Sequence, residues 1–329
     1  MYLPATYSTA LLMMIITTIC WGSWANSYKF TKGYRFELFY WDYIFGMILV
    51  SIGLALTMGS MGSSGQPFLA NLTSADGTHW VYALVAGFIF NAANLLLVAG
   101  IDITGLSVAF PISIGIAIVE GVVLSYLIQP KGNPLFLGGG VALAVAAIVF
   151  DAMAYKNLGR GRGVKVSGKG IVINIISGLL MGGFAPFVTK ALTGENSLTP
   201  YSIIVLFSLG ALLCCFFVNV YFMRHPLVGE PVNFSGFLAA SGRDHALGLL
   251  GGVVWGIGGA FNFIAAGVVG VAISYAIGQA APMIAALWGV AVWKEFQGAN
   301  TAARVFLGLM FLFYLLAVGF IAMAHTGGA

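Results

Sequence analysis

Residues 107–121 read SVAFPISIGIAIVEG. The run is apolar almost throughout, yet it carries Pro111 near its start and a carboxylic acid, Glu120, near its end. In a water-soluble core such an acid needs a partner. At the middle of a membrane helix it costs roughly 2.5–3.5 kcal/mol unless it faces protein or water. The solvent around the chain therefore decides how the segment is read. Of the 329 residues, 60% are hydrophobic and only 7% are charged, and the mean hydropathy is +0.98. A soluble domain carries about 25% charged residues. Apolar runs of about 20 residues, the length that crosses some 30 Å of hydrocarbon, recur along the whole chain. The alternating segments of about 10 residues that mark a membrane β-barrel are absent. The chain is read as an all-α integral membrane protein whose solvent is the lipid bilayer.

Ten spans are expected: 8–28, 38–59, 80–100, 105–128, 135–155, 169–189, 200–223, 246–266, 270–292 and 302–324. The first lacks a basic leading region and a cleavage site, and it is read as a retained helix. Cys20, Cys214 and Cys215 all fall inside spans, which argues against a structural disulfide. The net charge of +4 is explained by where the cations lie rather than by affinity for nucleic acid. Twelve of the fourteen Lys and Arg residues fall in or beside the odd-numbered loops, and only Lys131 and Lys190 belong to the even-numbered set. By the positive-inside rule the odd-numbered loops face the cytoplasm and both termini lie outside, in a plasma membrane of the bacterial inner-membrane kind.

The chain also repeats itself. WGSWANSYK (21–29) in span 1 matches MGGFAPFVT (181–189) in span 6: a small pair, an aromatic, alanine, then Asn or Pro. FN at 90–91 precedes GLSVAFPI at 105–112, and FN at 261–262 precedes GVAISYAI at 270–277. Each half holds five spans, an odd number, so the second copy must sit inverted. The expected organisation is two inverted five-helix repeats, 1–156 and 169–329, joined by a basic cytoplasmic linker at 157–168. Inverted repeats of this kind recur in secondary transporters, with the substrate site near the midplane between them.

Polar groups within the spans are the candidate site. Thr17, Trp21, Trp24 and Tyr28 share one helical face; Trp21 and Trp24 either wall a pore or pack as ordinary aromatics. Asn91 and Asn94 lie one turn apart in span 3, and Trp255 and Asn262 share a face of span 8. Such amides either staple helices together or bind a solute, and the correspondence of Asn91 with Asn262 favours a shared site. Span 9 aligns Tyr275, Gln279 and Pro282 on one face, and Pro282 withholds a backbone donor. These eight polar and aromatic residues (Trp21, Trp24, Asn91, Asn94, Trp255, Asn262, Tyr275 and Gln279) are the candidate substrate ligands. Glu120 and Asp42 are the candidate proton-coupling acids. An acid that is neutral in hydrocarbon and ionises when water reaches it suits a proton-coupled carrier, although a structural ion pair or an idle hydrogen-bonded acid satisfies the same sequence.

Residues 163–169 fit part of a phosphate-binding loop, but Gly170 stands where Ser or Thr is needed and no strand precedes it. His79, His225, His245 and His325 are scattered without metal-ligand spacing. Neither a cofactor, a metal nor catalysis is expected.

Ten spans in a five-plus-five pattern, with WGS inside span 1, resemble the drug/metabolite transporter superfamily. WDYIFGMIL (41–49), GLSVAFPISIGI (105–116) and the blocks HPLVGEPVNFSGF (225–237) and GQAAPMIAALWGVAVWKEF (278–296) are similar to the ureide permease group. GIVINIISGLLMG (170–182) is similar to the glucose/ribose uptake permeases as well, and more distantly to rhamnose–proton symporters. The resemblance implies a secondary carrier that takes up a small neutral polar solute, ureide- or nucleobase-like or a sugar, with a proton (or sodium) as coupling ion. The candidate residues agree, since amides and aromatic rings without a midplane cation suit a neutral ligand. An exporter of lipophilic cations and a non-transporting scaffold or sensor are the alternatives.

Overall fold

A computed structural model describes residues 1–158 and 168–326. The basic glycine-rich stretch with its GK pair, on which the linker reading rests, lies largely outside those residues.

Among the described residues ten helices are long and apolar enough to cross a membrane, and we number them in chain order: α1 Tyr7–Lys29, α2 Phe36–Leu56, α3 Gly77–Thr104, α4 Leu106–Ile128, α5 Pro134–Asn157, α6 Gly168–Leu192, α7 Pro200–Arg224, α8 Gly242–Val269, α9 Val271–Ala291 and α10 Thr301–His325. Several begin where the sequence supplies a cap. Thr199 and Ser241 turn their hydroxyl oxygens onto the free amides of Ser202 and Asp244, and Asn133 does the same for Leu135. Pro134 and Pro200 occupy the first helical position, where the missing N–H has no intrahelical role.

Loops gather by parity. At one end, Lys29 bonds Glu295 at 3.0 Å, Arg35 bonds the carbonyls of Val228 and Glu230, and Tyr155 bonds Glu295 at 3.0 Å, which joins the 1–2, 5–6, 7–8 and 9–10 connections. At the other end Tyr2 pairs with Met58, Asp76 with Asn196, and Asn133 with Ala324.

In a bilayer lipid is as apolar as a leucine side chain, so helices associate through close van der Waals packing at small residues and through hydrogen bonds. Two crossings use this device reciprocally. Where α2 meets α8, Gly46 admits the Leu249 carbonyl and Gly252 admits the Tyr43 carbonyl. Where α3 meets α7, Gly87 admits the Phe207 carbonyl and Gly210 admits the Leu84 carbonyl. A Cβ at any of the four would strike backbone, which cannot swing aside. Elsewhere α3 packs on α6, α1 on α8, α4 on α6 and α5, and α5 lies along α10.

Helices α3 and α8 are each 28 residues long and longer than the hydrophobic runs alone suggest. Each ends at a single glycine, Gly105 with φ 77° and Gly270 with φ 90°, before the next helix starts. Only glycine takes that conformation cheaply, so each connection is a one-residue corner. The two corners lie 165 positions apart and the two FN pairs 171, so Asn91 and Asn262 sit at different heights on their helices.

Three spans depart from a straight α-helix. α1 breaks at Trp24, α7 contains a π-helical turn at Cys215–Asn219, and α9 divides into Val271–Gly278 and Ala281–Ala291. Pro282 therefore opens the second half of α9 rather than interrupting a continuous helix, and the Ile277 carbonyl at the break is taken by Thr18 at 2.9 Å.

Replacing Gly87 or Gly252 with alanine is expected to lower the thermal midpoint of the detergent-solubilised protein by the equivalent of about 1–3 kcal/mol, the range for overpacking. Gly53→Ala, where the added methyl meets open space, is expected to leave the midpoint unchanged or raised, because alanine is the better helix former by about 1 kcal/mol. Equal midpoints for all three variants would dismiss the backbone contacts as the brace.

Candidate functional site: a central cavity and its vestibule

A cavity of about 220 Å³ lies among α1, α3, α4, α6, α8 and α9. Both broken helices supply its wall. Trp21 and Trp24 flank the end of the first helical stretch of α1, while Gln279, Ala281 and Pro282 come from the break in α9. A broken helix is tolerated at membrane depth where its backbone lines a cavity or is buried in protein.

Aromatic planes dominate the surface. Trp21 stacks on Trp255 with ring centroids 5.7 Å apart and 11° between planes, and Trp255 stacks on Phe207 at 5.8 Å and 8°. Phe90 closes on Trp255 at 4.5 Å, and Phe184 stands edge-on to Tyr275 at 5.6 Å. Phe90 and Phe184 are lining residues that the sequence reading did not select. The signal for Phe184 was present, since it occupies in MGGFAPF the place that Trp24 holds in WGSWANS.

Indoles, the Tyr28 ring with its hydroxyl, and the side chains of Asn94 and Gln279 bring polar groups to the lining. The indole N–H of Trp21 is buried and has no hydrogen-bond partner among the described residues. Asn94 donates to the Tyr40 hydroxyl at 2.7 Å, so its own carbonyl oxygen remains an acceptor. Gln279 brings a second amide. The lining contains neither a Lys or Arg nor an Asp or Glu. Such a chamber can hold a flat neutral molecule between ring faces and satisfy a few hydrogen bonds at its edge.

Of the eight candidate ligands, Trp21, Trp24, Asn94, Trp255 and Gln279 meet at this cavity. The other three are engaged in the framework. Asn91 donates to the Ala211 carbonyl at 3.1 Å, beside the π-turn of α7, and Asn262 donates to the Ser274 carbonyl at 2.8 Å. Tyr275 is fully buried and its hydroxyl lies 3.2 and 3.1 Å from the carbonyls of Ala117 and Met181, bracing α9 against α4 and α6.

The two candidate acids lie off the cavity. Glu120 is packed against α6, where a Cβ on Gly182 would come within 2.9 Å of its Oε2, and that oxygen is buried with no hydrogen-bond partner among the described residues. Asp42 in α2 is 6% exposed. It accepts from the Tyr34 hydroxyl at 2.9 Å, and His245 Nδ1 of α8 lies 2.9 and 3.0 Å from its two oxygens. Burial, and next the Asp42 carboxylate, push the Tyr34 hydroxyl well above the usual tyrosine range, so Tyr34 stays a donor. His245 pairs with Asp42 only through the fold, since 203 positions separate them.

A second space of about 230 Å³ adjoins the first at the end where the odd-numbered loops gather. The two share Tyr28, Phe36 and Val98. This vestibule is charged: Arg35, Glu37 and Asp102 border it. Asp102 was not singled out from the sequence because it lies within three residues of a helix end, where an acid ordinarily meets solvent.

A ten-span membrane protein with a solute-sized chamber between its helices has the architecture of a permease. The sequence profile of the ureide permeases matches residues 152–325, more than half of the chain, and the chain belongs to the ureide permease family. It is 24% identical to ureide permease 1 of Arabidopsis thaliana over an alignment of 391 positions that covers 99% of each chain. Ureide permease 2 of the same plant is 23% identical over 399 positions, again with 99% of each covered. A Listeria innocua protein named for sugar uptake is 23% identical over 219 positions, 66% of this chain and 70% of that one. One crystal structure superposes with a TM-score of 0.64 at 14% identity, covering 95% of this chain and 98% of the other, and so shares the fold.

The division into cavity and framework has a kinetic signature. Asn91→Ala and Asn262→Ala are each expected to lower stability by about 0.6 kcal/mol, the mean for interhelical side-chain bonds, with an upper bound of about 1.7 kcal/mol. The KM for the transported solute should stay as it is. Asn94→Ala is expected to raise KM about tenfold, the equivalent of about 1.4 kcal/mol. Unfolding midpoints measured beside uptake kinetics check this, and a large KM change in Asn262→Ala would overturn the division.

Proposed function

We propose that the protein is a secondary active transporter that takes up a small, neutral, flat, N–H-bearing solute of the ureide or nucleobase kind, with a proton as coupling ion. The observation that carries this reading is the lining of the central cavity: stacked indole and phenyl planes, the Asn94 and Gln279 amides, and no charged side chain. A lipophilic cation would enter that chamber without a carboxylate to balance it, and an anion without a base, so a neutral ligand is favoured on electrostatic grounds. A sugar needs hydrogen-bond partners around its whole rim, and two amides among so many ring faces suit a planar heterocycle better.

The packing supports alternating access between two inverted halves. Partners exchange consistently when each span is replaced by the one five places along: α3 on α6 becomes α8 on α1, and α3 on α7 becomes α8 on α2. The reciprocal glycine contacts fall in the second pair of crossings, and the one-residue corners at Gly105 and Gly270 follow the same exchange. Phe90 and Trp255, 165 positions apart like the helix ends, pack against each other in the cavity wall. The cation bias favours the odd-numbered loops, and with them the vestibule, on the cytoplasmic side of the plasma membrane.

In this reading Glu120 carries the proton. Its unpartnered oxygen lies against Gly182 of α6, where a small helix movement brings water or a partner to it. Asp42, linked to the partly exposed His245, is the second candidate, at the end where the vestibule opens.

The test is uptake of labelled allantoin, uracil, glucose, ribose and rhamnose into proteoliposomes, with and without an inward proton gradient. Gradient-driven accumulation of allantoin or uracil is expected, with accumulation lost and exchange retained in Glu120→Gln. Trp21→Ala is expected to raise KM at least tenfold. Accumulation unchanged in Glu120→Gln moves the coupling to Asp42, and accumulation of a sugar alone overturns the solute class. If none of the five moves, the uptake reading fails and export of lipophilic cations is tested in its place.

A further inference from the structure

We propose that the vestibule is a second solute-binding site, in series with the central cavity, and that Asp102 is its recognition group. The proposal rests on reading the central cavity as a solute site and adds a separate place where the same class of molecule stops.

The vestibule is as large as the cavity, about 230 against 220 Å³, and it is a distinct chamber with its own chemistry. α3 is the wall common to both. The two spaces run side by side along this helix: Leu95 and Asp102 border the vestibule, and Asn94 and Ile101 border the cavity. Between them Tyr28 and Phe36 border both spaces, with ring centroids 5.3 Å apart and edge to face, so a solute passes from one chamber to the other across aromatic rings.

The charges at the vestibule are unequal in what they leave free. Arg35 is almost fully engaged: it bonds both oxygens of Glu37 at 2.8 and 3.2 Å, and the carbonyls of Glu230 and Val228 at 2.6 and 3.3 Å. Its role is to hold the 7–8 connection against the start of α2, and Glu37 is consumed in balancing it. Asp102 stands in none of the ion pairs or side-chain hydrogen bonds found among the described residues, although it lies within electrostatic reach of both Arg35 and Glu37. One carboxylate is thus left facing a chamber with an aromatic floor.

A carboxylate with two free oxygens accepts two parallel N–H groups, the pairing that makes planar donors such as guanidinium its best partners. The neutral molecules that offer the same fork are those with a ureido group, –NH–CO–NH–. Such a solute can set its N–H edge on Asp102 and its flat face on Tyr28 or Phe36. The central cavity, by contrast, offers amides and aromatic rings and has no carboxylate. The vestibule therefore selects for N–H donors before the cavity takes hold of the molecule.

Equilibrium binding of labelled allantoin to the full-length protein in nanodiscs tests this. Wild type is expected to bind two molecules per chain. Asp102→Asn keeps the shape but offers one N–H donor where an acceptor stood. It is expected to bind one, with the remaining affinity within twofold of wild type, and Asp102→Glu is expected to restore the second. Trp21→Ala should keep the Asp102-dependent site and lose the other. A stoichiometry of one in wild type, abolished by Trp21→Ala and untouched by Asp102→Asn, overturns the vestibular site while the central cavity stands as the solute site. Two sites that both survive Asp102→Asn overturn the role of Asp102. No binding at all overturns the central-cavity reading and the vestibular site together.

Discussion

The architecture depends on backbone meeting backbone at four glycines. In water the burial of apolar side chains drives helices together, but inside a bilayer that force has already been spent on insertion. What remains is contact so close that a methyl group would obstruct it, and α2–α8 and α3–α7 are built in that way, each helix supplying one glycine and accepting the other's carbonyl. With those crossings set, α1 is carried on α8 and α6 on α3, and the space left between the two groups becomes the central cavity.

Around that frame the polar groups sort by how far they are already satisfied. Asn91, Asn262 and Tyr275 give their hydrogen bonds to carbonyls of neighbouring helices and hold the wall in place. Asn94 keeps an acceptor in reserve at the cavity. The two helix breaks that widen the chamber are served locally: Thr18 takes the Ile277 carbonyl at the bend in α9, and Asn26 and Ser23 of α1 accept the indole N–H groups of Trp293 and Trp288 at 2.6 and 2.9 Å. Those last bonds, with Lys29 on Glu295, tie the end of α1 to the second half of α9 at the mouth nearest the vestibule.

Much of this was legible beforehand because the bilayer imposes length and composition so strongly. All ten spans were located to within a few residues, since each must be about 20 apolar residues long whatever it packs against. The motif around Trp21 and Trp24 and the glycine before each of α4 and α9 were visible as repeated words, because a broken helix and a one-residue corner demand particular residue types. Five of eight candidate ligands reached one cavity on helical spacing alone. Spacing failed where direction around the helix was needed relative to a neighbour: Asn91 and Asn94 differ by less than one turn, and only the position of α7 makes one a staple and the other a cavity residue.

The sequence by itself determined the solvent, the number of crossings and the separation of the cations to one set of loops, because each is a property of single segments and their composition. The tertiary structure decided everything that depends on two segments meeting. It set His245 beside Asp42 across 203 positions, left one oxygen of Glu120 without a partner against α6, and turned Asp102 from an ordinary residue near a helix end into the one free carboxylate bordering a chamber that adjoins the cavity. The physical reason is that a polar side chain in a membrane protein takes its role from whatever hydrogen-bond partner the packing brings or withholds, and no local pattern encodes that partner.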